Sequence, residues 1–269
     1  MDNEKIKHML LDICETDLDF TVTMTGKESK RVNGLYKPDT HEILLHNKNF
    51  KTDNQLVYTA VHEYTHHLIT AERRALAGDK VPPANARVHT QAFWTKFHEL
   101  LETAEQKGYY VLGLENAPEL QQLTQEIQKN YLEKNGVLMQ EFGKLLAKAH
   151  TLCEAANIRY EDYLDRILRL PRTSARDITR VGIIPVNPAV GFDNMKMIAS
   201  LKKPEDRTAA EQQLLSGKAP DTVRSLMKRK ASGEEDPKIK LEKEKQRLSK
   251  TIAQLTQRLE FVEESLANM

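Results

Sequence analysis

The chain has 269 residues, of which 39% are hydrophobic and 29% charged, and its formal net charge is +1. This composition suits a soluble protein with one sizeable domain and further segments, and the charge excludes neither nucleic acid nor protein as a partner. No apolar stretch approaches the length of a membrane span, and the amino terminus lacks a signal-peptide core. We therefore expect a cytoplasmic protein without a membrane partner. Cys14 and Cys153 lie far apart without ligand spacing, which predicts reduced thiols.

Three short strands are predicted before residue 50. Alternating apolar residues and turn residues indicate strands over residues 20–24, 30–36 and 42–46. Such a sheet would form the floor of a site on the helix that follows. We expect residues 41–46 to be its exposed edge, where an extended peptide can pair through main-chain hydrogen bonds. An ordinary structural strand is the alternative interpretation.

An amphipathic helix is predicted directly after the strands. Thr52 and Gln55 fit a capping box, Thr-x-x-Gln, at its start. Apolar residues then recur at steps of three and four, as in a helix packed on a core: Leu56, Val57, Ala60, Val61, Tyr64 and Leu68.

The same helix carries the pentapeptide His62-Glu63-Tyr64-Thr65-His66. Two histidines four residues apart lie on one helical face, so both imidazoles can reach one metal ion. A glutamate beside that metal can take a proton from a bound water. This is the HExxH pattern of zinc-dependent peptidases, which predicts one Zn²⁺ per chain and Glu63 as the catalytic base.

A catalytic zinc usually has three protein ligands, and two residues after the motif are candidates for the third. His89 opens a second amphipathic helix that we expect to end near Gly108. Glu99 lies farther along that helix and would give the ligand set of another peptidase class. We favour His89, because a ligand at the start of a helix can be aimed into a cleft while Phe93 and Phe97 fix the helix in the core.

The run Val61-His62-Glu63-Tyr64-Thr65-His66-His67, followed by His89-x-x-x-Phe93-Trp94, resembles the SprT-like metallopeptidases, which include Spartan-type proteases of DNA–protein crosslinks. The resemblance covers about residues 15–112. It implies a zincin fold, a protein or peptide substrate, Glu63 as the base, and three zinc ligands: His62, His66 and His89. Thr90 stands where many members have glycine, and no Cys-x-x-Cys zinc ribbon follows.

Residues 116–157 read as a helical connector, and residues 158–231 as a helical domain. Helices predicted over 160–168 and 173–181, joined by a tight turn, suit a DNA-binding helix-turn-helix. We expect Thr173 or Ser174 to cap the second helix and Gly182 to close it. Arginines concentrate here, and we take five as candidate DNA contacts: Arg166, Arg169, Arg172, Arg176 and Arg180. Residues 215–224 loosely resemble the DNA-binding region of ParB-like partition proteins.

The carboxyl end, residues 232–269, reads as a linker followed by a coiled coil. Its apolar residues follow alternating steps of four and three, interrupted once by Lys245: Leu241, Leu248, Ile252, Leu255, Leu259, Val262 and Leu266. This seam predicts a homodimer. A helix that packs back on its own chain is the alternative.

The sequence as a whole predicts an α+β fold in which a small zincin-like sheet and the HExxH helix, within residues 1–115, precede an all-α region with a helix-turn-helix and a coiled coil. The corresponding function is an intracellular zinc metalloendopeptidase that is directed to DNA-bound protein and associated with the nucleoid. The alternatives are a DNA-binding regulatory or partition-type adaptor whose zincin-like domain is structural, and an enzyme that does not bind DNA. The intact Glu63 favours the enzyme. Tyr109 or Tyr110 would either donate to the oxyanion or pack in the core.

Overall fold

The computed structural model describes residues 1–77, 88–232 and 237–268. The described residues are mostly helical and include one three-stranded mixed sheet, which confirms the α+β class. The chain divides into two compact units, Met1–Ser225 and Leu226–Met269. In these residues no helix is both long and apolar enough to cross a membrane.

The three predicted strands are confirmed, but the predicted edge is wrong. The strands are β1 (Thr21–Met24), β2 (Gly34–Lys37) and β3 (Glu42–Leu45). The sheet has the order β1-β3-β2, with β3 parallel to β1 and antiparallel to β2. β3 is central because it is the most apolar of the three strands, with Ile43 and Leu45 fully buried. The two edge strands are therefore β1 and β2, and β2 is the one that forms a hairpin with β3.

Three helices accompany this sheet: α1 (Asn3–Ile13), α2 (Asp53–Ala77) and α3 (Gln91–Gln106). The predicted cap of α2 is present, since the Gln55 N–H donates to Thr52 Oγ1 over 3.3 Å. Gln55 Oε1 accepts from the Lys51 N–H at 2.8 Å, one residue earlier than a capping box requires. The HExxH helix therefore starts where its sequence predicts.

The second predicted helix, α3, has its own side-chain cap. Thr90 is the N-cap residue, and its Oγ1 accepts the Phe93 N–H over 3.3 Å. A threonine after His89 thus has a local structural role at the start of this helix. The core between sheet and helices contains side chains that are entirely buried: Ile6, Leu10, Ile43, Leu45, Val57, Tyr64, Phe93 and Phe97.

The remainder of the first unit is helical, as predicted. Its helices are α4 (Pro118–Ile127), α5 (Lys134–Ala155), α6 (Tyr160–Asp162), α7 (Arg172–Ile183), α8 (Phe192–Ala199) and α9 (Pro204–Leu215). The next helix, α10 (Pro220–Ser232), begins in the first unit and ends in the second. A π-helical turn, Gln128–Glu133, joins α4 to α5, and another, Tyr163–Leu168, extends α6. The last helix, α11 (Pro237–Ala267), lies in the second unit. The linker was predicted over residues 232–237, of which 233–236 lie outside the described residues.

Both predicted ends of α7 are wrong. The helix begins at Arg172 after Pro171, without a side-chain cap from Thr173 or Ser174. It also runs through Gly182, because α5 and α7 cross there with their backbones in contact. A Cβ on Gly182 would lie 2.6 Å from the Gly143 Cα, so glycine serves the crossing rather than ending the helix.

A three-histidine centre in a cleft along α2

Helix α2 and the start of α3 bring three imidazoles together. His62 Nε2 lies 3.0 Å from His89 Nε2, and His66 Nε2 lies 3.2 Å from the same atom. A tetrahedral zinc with Zn–N bonds of about 2.0–2.1 Å requires nitrogens about 3.3 Å apart. The three nitrogens therefore have the spacing that one metal ion needs, and together they form a group able to hold such an ion.

The protonation state of these imidazoles also suits a metal. Burial lowers the pKa of His62 to about 4 and that of His66 to about 3, and the neighbouring imidazoles add to the effect. Both rings are therefore neutral near pH 7, with lone pairs available for coordination. A cation at the centre would satisfy the nitrogen atoms that now face one another. These donors fit zinc as well as other ions that bind imidazole.

Aromatic side chains of α3 hold two of the imidazoles in place. Phe93 stacks on His66 with ring centroids 4.4 Å apart, and Trp94 stacks on His89 at 5.5 Å. Glu99, the alternative third ligand, does not belong to the histidine group found among the described residues. The geometry therefore supports His89 as the third donor.

Glu63 lies next to this centre under the edge of β2. It is only 7% exposed, and burial raises its pKa to about 7, although a hydrogen bond from the Tyr36 N–H to its carboxylate opposes that rise. The Asn33 carbonyl accepts from the His46 N–H, so antiparallel alternation turns the main-chain groups of Gly34 and Tyr36 away from β3. The outer edge of β2 thus faces the candidate base.

A cleft of about 850 Å³ contains both the histidine centre and Glu63. One face of α2 forms its wall, through residues spaced three or four apart: Thr59, His62, Glu63, His66, Ile69 and Thr70. Strand β2 borders the same cleft. This placement was missed from sequence, where residues 41–46 were expected at the edge. Gly34 is the signal that could have found it, because a Cβ there would come within 2.9 Å of Glu63 Cγ.

His67, the histidine directly after the motif, is structural. Its ring is fully buried, and its Nε2 lies 3.0 Å from the Leu18 carbonyl oxygen. A carbonyl can only accept, so Nε2 donates and the neutral ring accepts at Nδ1 from the Tyr36 hydroxyl, 3.2 Å away. His41 Nδ1 then donates to the same hydroxyl over 3.1 Å. This chain of hydrogen bonds ties β2 to α2.

Neither tyrosine considered as an oxyanion donor lines the cleft. The Tyr109 hydroxyl donates to the Asp12 carboxylate over 3.0 Å. Tyr110 packs against Tyr58 with ring centroids 6.3 Å apart. Tyr109 and Tyr110 therefore pack against the core, which was the alternative to a role as oxyanion donor.

The candidate DNA-contacting arginines are exposed or half-buried, and most have carboxylate partners. Arg172 forms a bidentate ion pair with Asp165, donating from Nε and Nη2. Arg166 pairs with Asp162, and Arg176 and Arg180 both lie near Asp177. Arg169 ends the preceding turn with a φ of 52° and forms no ion pair with a described residue. Four of the five candidate arginines thus have a carboxylate nearby.

Comparison with known proteins adds no relative. No family model, curated protein or solved structure matches the chain. A functional inference therefore depends on the residues and geometry of the cleft.

Proposed function

We propose that this chain is a zinc-dependent endopeptidase of the SprT-like kind, with one Zn²⁺ held by His62, His66 and His89. The observation that carries the proposal is the convergence of three imidazole nitrogens beside a buried glutamate in an open cleft. A structural zinc site is typically closed by four protein ligands, whereas three ligands leave a position for water. The presence of Glu63 beside that position favours catalysis over a structural role.

The chain's own contribution to hydrolysis centres on Glu63. When bound, the zinc supplies a Lewis acid that lowers the pKa of its water from about 15.7 toward about 7 and polarises the scissile carbonyl. A nearby cation stabilises the ionised carboxylate, so Glu63 is a base at neutral pH despite its burial. Glu63 accepts a proton from the attacking water and returns it to the leaving amine.

Strand β2 is the proposed guide for the substrate backbone. The Gly34 N–H and carbonyl and the Tyr36 carbonyl point away from β3, along the border of the cleft. An extended peptide can add to such an edge through main-chain hydrogen bonds. Since those main-chain hydrogen bonds do not depend on the side chains of the substrate, the edge would place peptides of many different sequences over Glu63 in the same way.

The proposal is tested with a pool of peptides derived from a whole proteome and mass spectrometry of new termini. Zinc-loaded wild-type protein is expected to produce termini that accumulate with time. Glu63→Gln is the matched control, because it keeps the shape and the three histidines while removing the base. We expect it to bind zinc as wild type does and to cut about 10²- to 10⁴-fold more slowly. Equal cutting by both proteins would overturn the proposal.

Direction to DNA is a further part of the proposal. It is supported by the short helical segment Tyr163–Leu168, by α7 after it, and by the exposed Arg169, which forms no ion pair with a described residue. The paired arginines weaken the case for strong DNA binding, so the adaptor alternative is less favoured than the enzyme. Retardation of a DNA duplex on a gel that is lost in Arg169→Ala would support recruitment. No retardation at low salt would exclude it.

Self-association through α11 is also proposed. Its seam residues are exposed in the single chain, from Val262 at 43% to Leu266 at 66%. Ile252 and Leu255 occupy neighbouring a and d positions, and Lys245 is a polar a residue, a pattern that favours two parallel strands. In that arrangement Arg258 of one copy would face Glu263 of the other at g and e positions. We therefore expect a parallel homodimer.

A further inference from the structure

The cleft extends beyond the histidine centre toward the carboxyl end of α2. Arg73 and Arg74 line it there, together with Pro38 and Asp39 from the connection after β2. Both arginines are half-buried. They follow His66 by seven and eight residues, which places them on the α2 face that carries the ligands. The cleft thus has a basic end at a fixed distance from the site of hydrolysis.

Among the described residues, these two guanidinium groups have no acidic partner. Neither arginine forms an ion pair with a carboxylate of the described residues, and Arg74 donates only a long 3.4 Å hydrogen bond to the Pro38 carbonyl. Glu72, the adjacent acid on α2, is instead paired with Lys96. Asp39 lines the cleft without pairing to either arginine. A partly desolvated guanidinium without a partner is well suited to accept a carboxylate through two hydrogen bonds.

The helix geometry gives the position of such a carboxylate in a substrate. With a rise of about 1.5 Å per residue, Arg73 and Arg74 lie about 10–12 Å beyond His66 along α2. An extended peptide advances about 3.3 Å per residue. The basic end is therefore three to four substrate residues from the bond that is cut, and only on one side of it.

We propose that Arg73 and Arg74 form a subsite for an acidic side chain of the substrate, three to four residues from the scissile bond. The inference rests on the proposed peptidase function and adds the substrate class. Acidic peptide is preferred over nucleic acid as the occupant because the same cleft is bordered by the main-chain edge of β2, which pairs with peptide. The alternative, a DNA phosphate on the two arginines, is an outcome of the test.

The first experiment compares the cleavage sites of three zinc-loaded proteins in the same peptide pool. Wild type is expected to enrich Asp and Glu at the third or fourth residue on one side of the cut. Arg73→Glu is expected to lose that enrichment and to favour Lys or Arg there. Lys51→Glu makes the same charge change at an exposed residue outside the cleft and is expected to match wild type. Acidic enrichment that persists in Arg73→Glu, or is absent from wild type, would overturn the subsite.

A binding measurement separates the subsite from the peptidase. Fluorescence anisotropy is measured for a labelled twelve-residue peptide with one Glu and for its Gln counterpart on the Glu63→Gln protein. We expect the Glu peptide to bind about tenfold tighter, and the difference to vanish when Arg73→Gln or Arg73→Glu is added. Glu-selective binding without cleavage by wild type would support the subsite and overturn the peptidase. Equal affinities for the Glu and Gln peptides would overturn the subsite. A DNA duplex that binds and is released by Arg73→Glu would identify phosphate as the occupant instead.

Discussion

Gly34 and Glu63 lie so close that a larger residue at position 34 would have to displace the Glu63 side chain, the Thr59 side chain or strand β2. A Cβ on residue 34 would come within 2.9 Å of Glu63 Cγ and within 2.8 Å of Thr59 Cγ2. The glycine therefore lets the edge strand lie directly over the candidate base. The same contact allows the Tyr36 N–H to reach the Glu63 carboxylate. The position of the Glu63 carboxylate therefore depends directly on the position of strand β2.

Gly34→Ala is expected to displace Glu63 without removing the metal. The added methyl group must push the Glu63 side chain or the strand away, and small misplacements of a catalytic group are costly. We expect peptide cleavage to slow about 10- to 100-fold with unchanged zinc content. Lys30→Ala, at an exposed position outside the strands and the cleft, should cleave as wild type does. Normal activity in Gly34→Ala would show that the close contact does not matter for catalysis.

The crossing of α5 and α7 predicts a loss of stability on Gly143→Ala. A Cβ there would lie 2.2 Å from the Ile178 carbonyl oxygen, a backbone atom that cannot move alone. Gly→Ala inside a helix ordinarily stabilises it, but overpacking here should lower the free energy of unfolding by about 1–3 kcal/mol. Denaturant unfolding measures the change, with Asn135→Ala on an exposed face of α5 as control. A gain in stability would contradict the observed crossing.

The buried His67 predicts a dependence of stability on pH in the metal-free protein. Burial lowers its pKa to about 4, against 6.5 in the unfolded chain. Between these values the unfolded state binds more protons, so this histidine makes stability fall as pH decreases from about 6.5 to 4 and has no effect above that window. Its contribution to the slope is at most about 1.4 kcal/mol per pH unit.

His67→Gln tests this dependence because glutamine can still donate and accept but does not titrate. Stability measured by denaturant unfolding from pH 4 to 7, in the presence of chelator, should have a shallower slope in the variant. His62, His66 and Glu63 also titrate, but they contribute to both proteins alike, so the difference reports His67 together with His41, which is linked to it through the Tyr36 hydroxyl. Identical slopes would mean that His67 is charged in the folded state or accessible to water.

The proposed coiled coil predicts that one seam residue controls the oligomeric state. Leu255 and Phe261 are similarly exposed on α11, at 61% and 69%, but only Leu255 occupies the seam. Leu255→Lys should place two charges opposite each other in a parallel dimer and produce monomers in sedimentation equilibrium. Phe261→Lys should remain dimeric. A monomeric wild type at micromolar concentration, or equal dissociation in both variants, would exclude this interface.

Much of the three-histidine centre could be predicted from sequence because its determinants are local. The spacing of His62 and His66 follows from helix periodicity, and Thr52 and Gln55 define where α2 begins. His89 required one further step, the recognition of a second helix whose aromatic residues stack on the imidazoles. Short-range pattern and side-chain chemistry were sufficient for these residues.

What could not be predicted depends on contacts between distant residues. The order of the strands places β2 rather than β3 at the edge. β3 is the more apolar strand and β2 contains Gly34, but the pairing of the strands is itself a contact between distant residues. Gly182 reads as a helix end until its partner on α5, Gly143, is known. Arg73 looks like an ordinary charge near the end of α2 until the cleft beside it is seen. Each of these depends on a tertiary neighbour that the sequence does not identify.

The zinc content of the purified protein shows whether the three histidines bind one metal ion. Native mass spectrometry after zinc loading should show one Zn²⁺ per chain in wild type, in Glu63→Gln and in Glu99→Gln. His89→Ala should have lost the ion or hold it far more weakly, because only two imidazoles remain. Zinc that is retained by His89→Ala and lost from Glu99→Gln would contradict the three-histidine centre, as would a wild-type protein that binds no zinc.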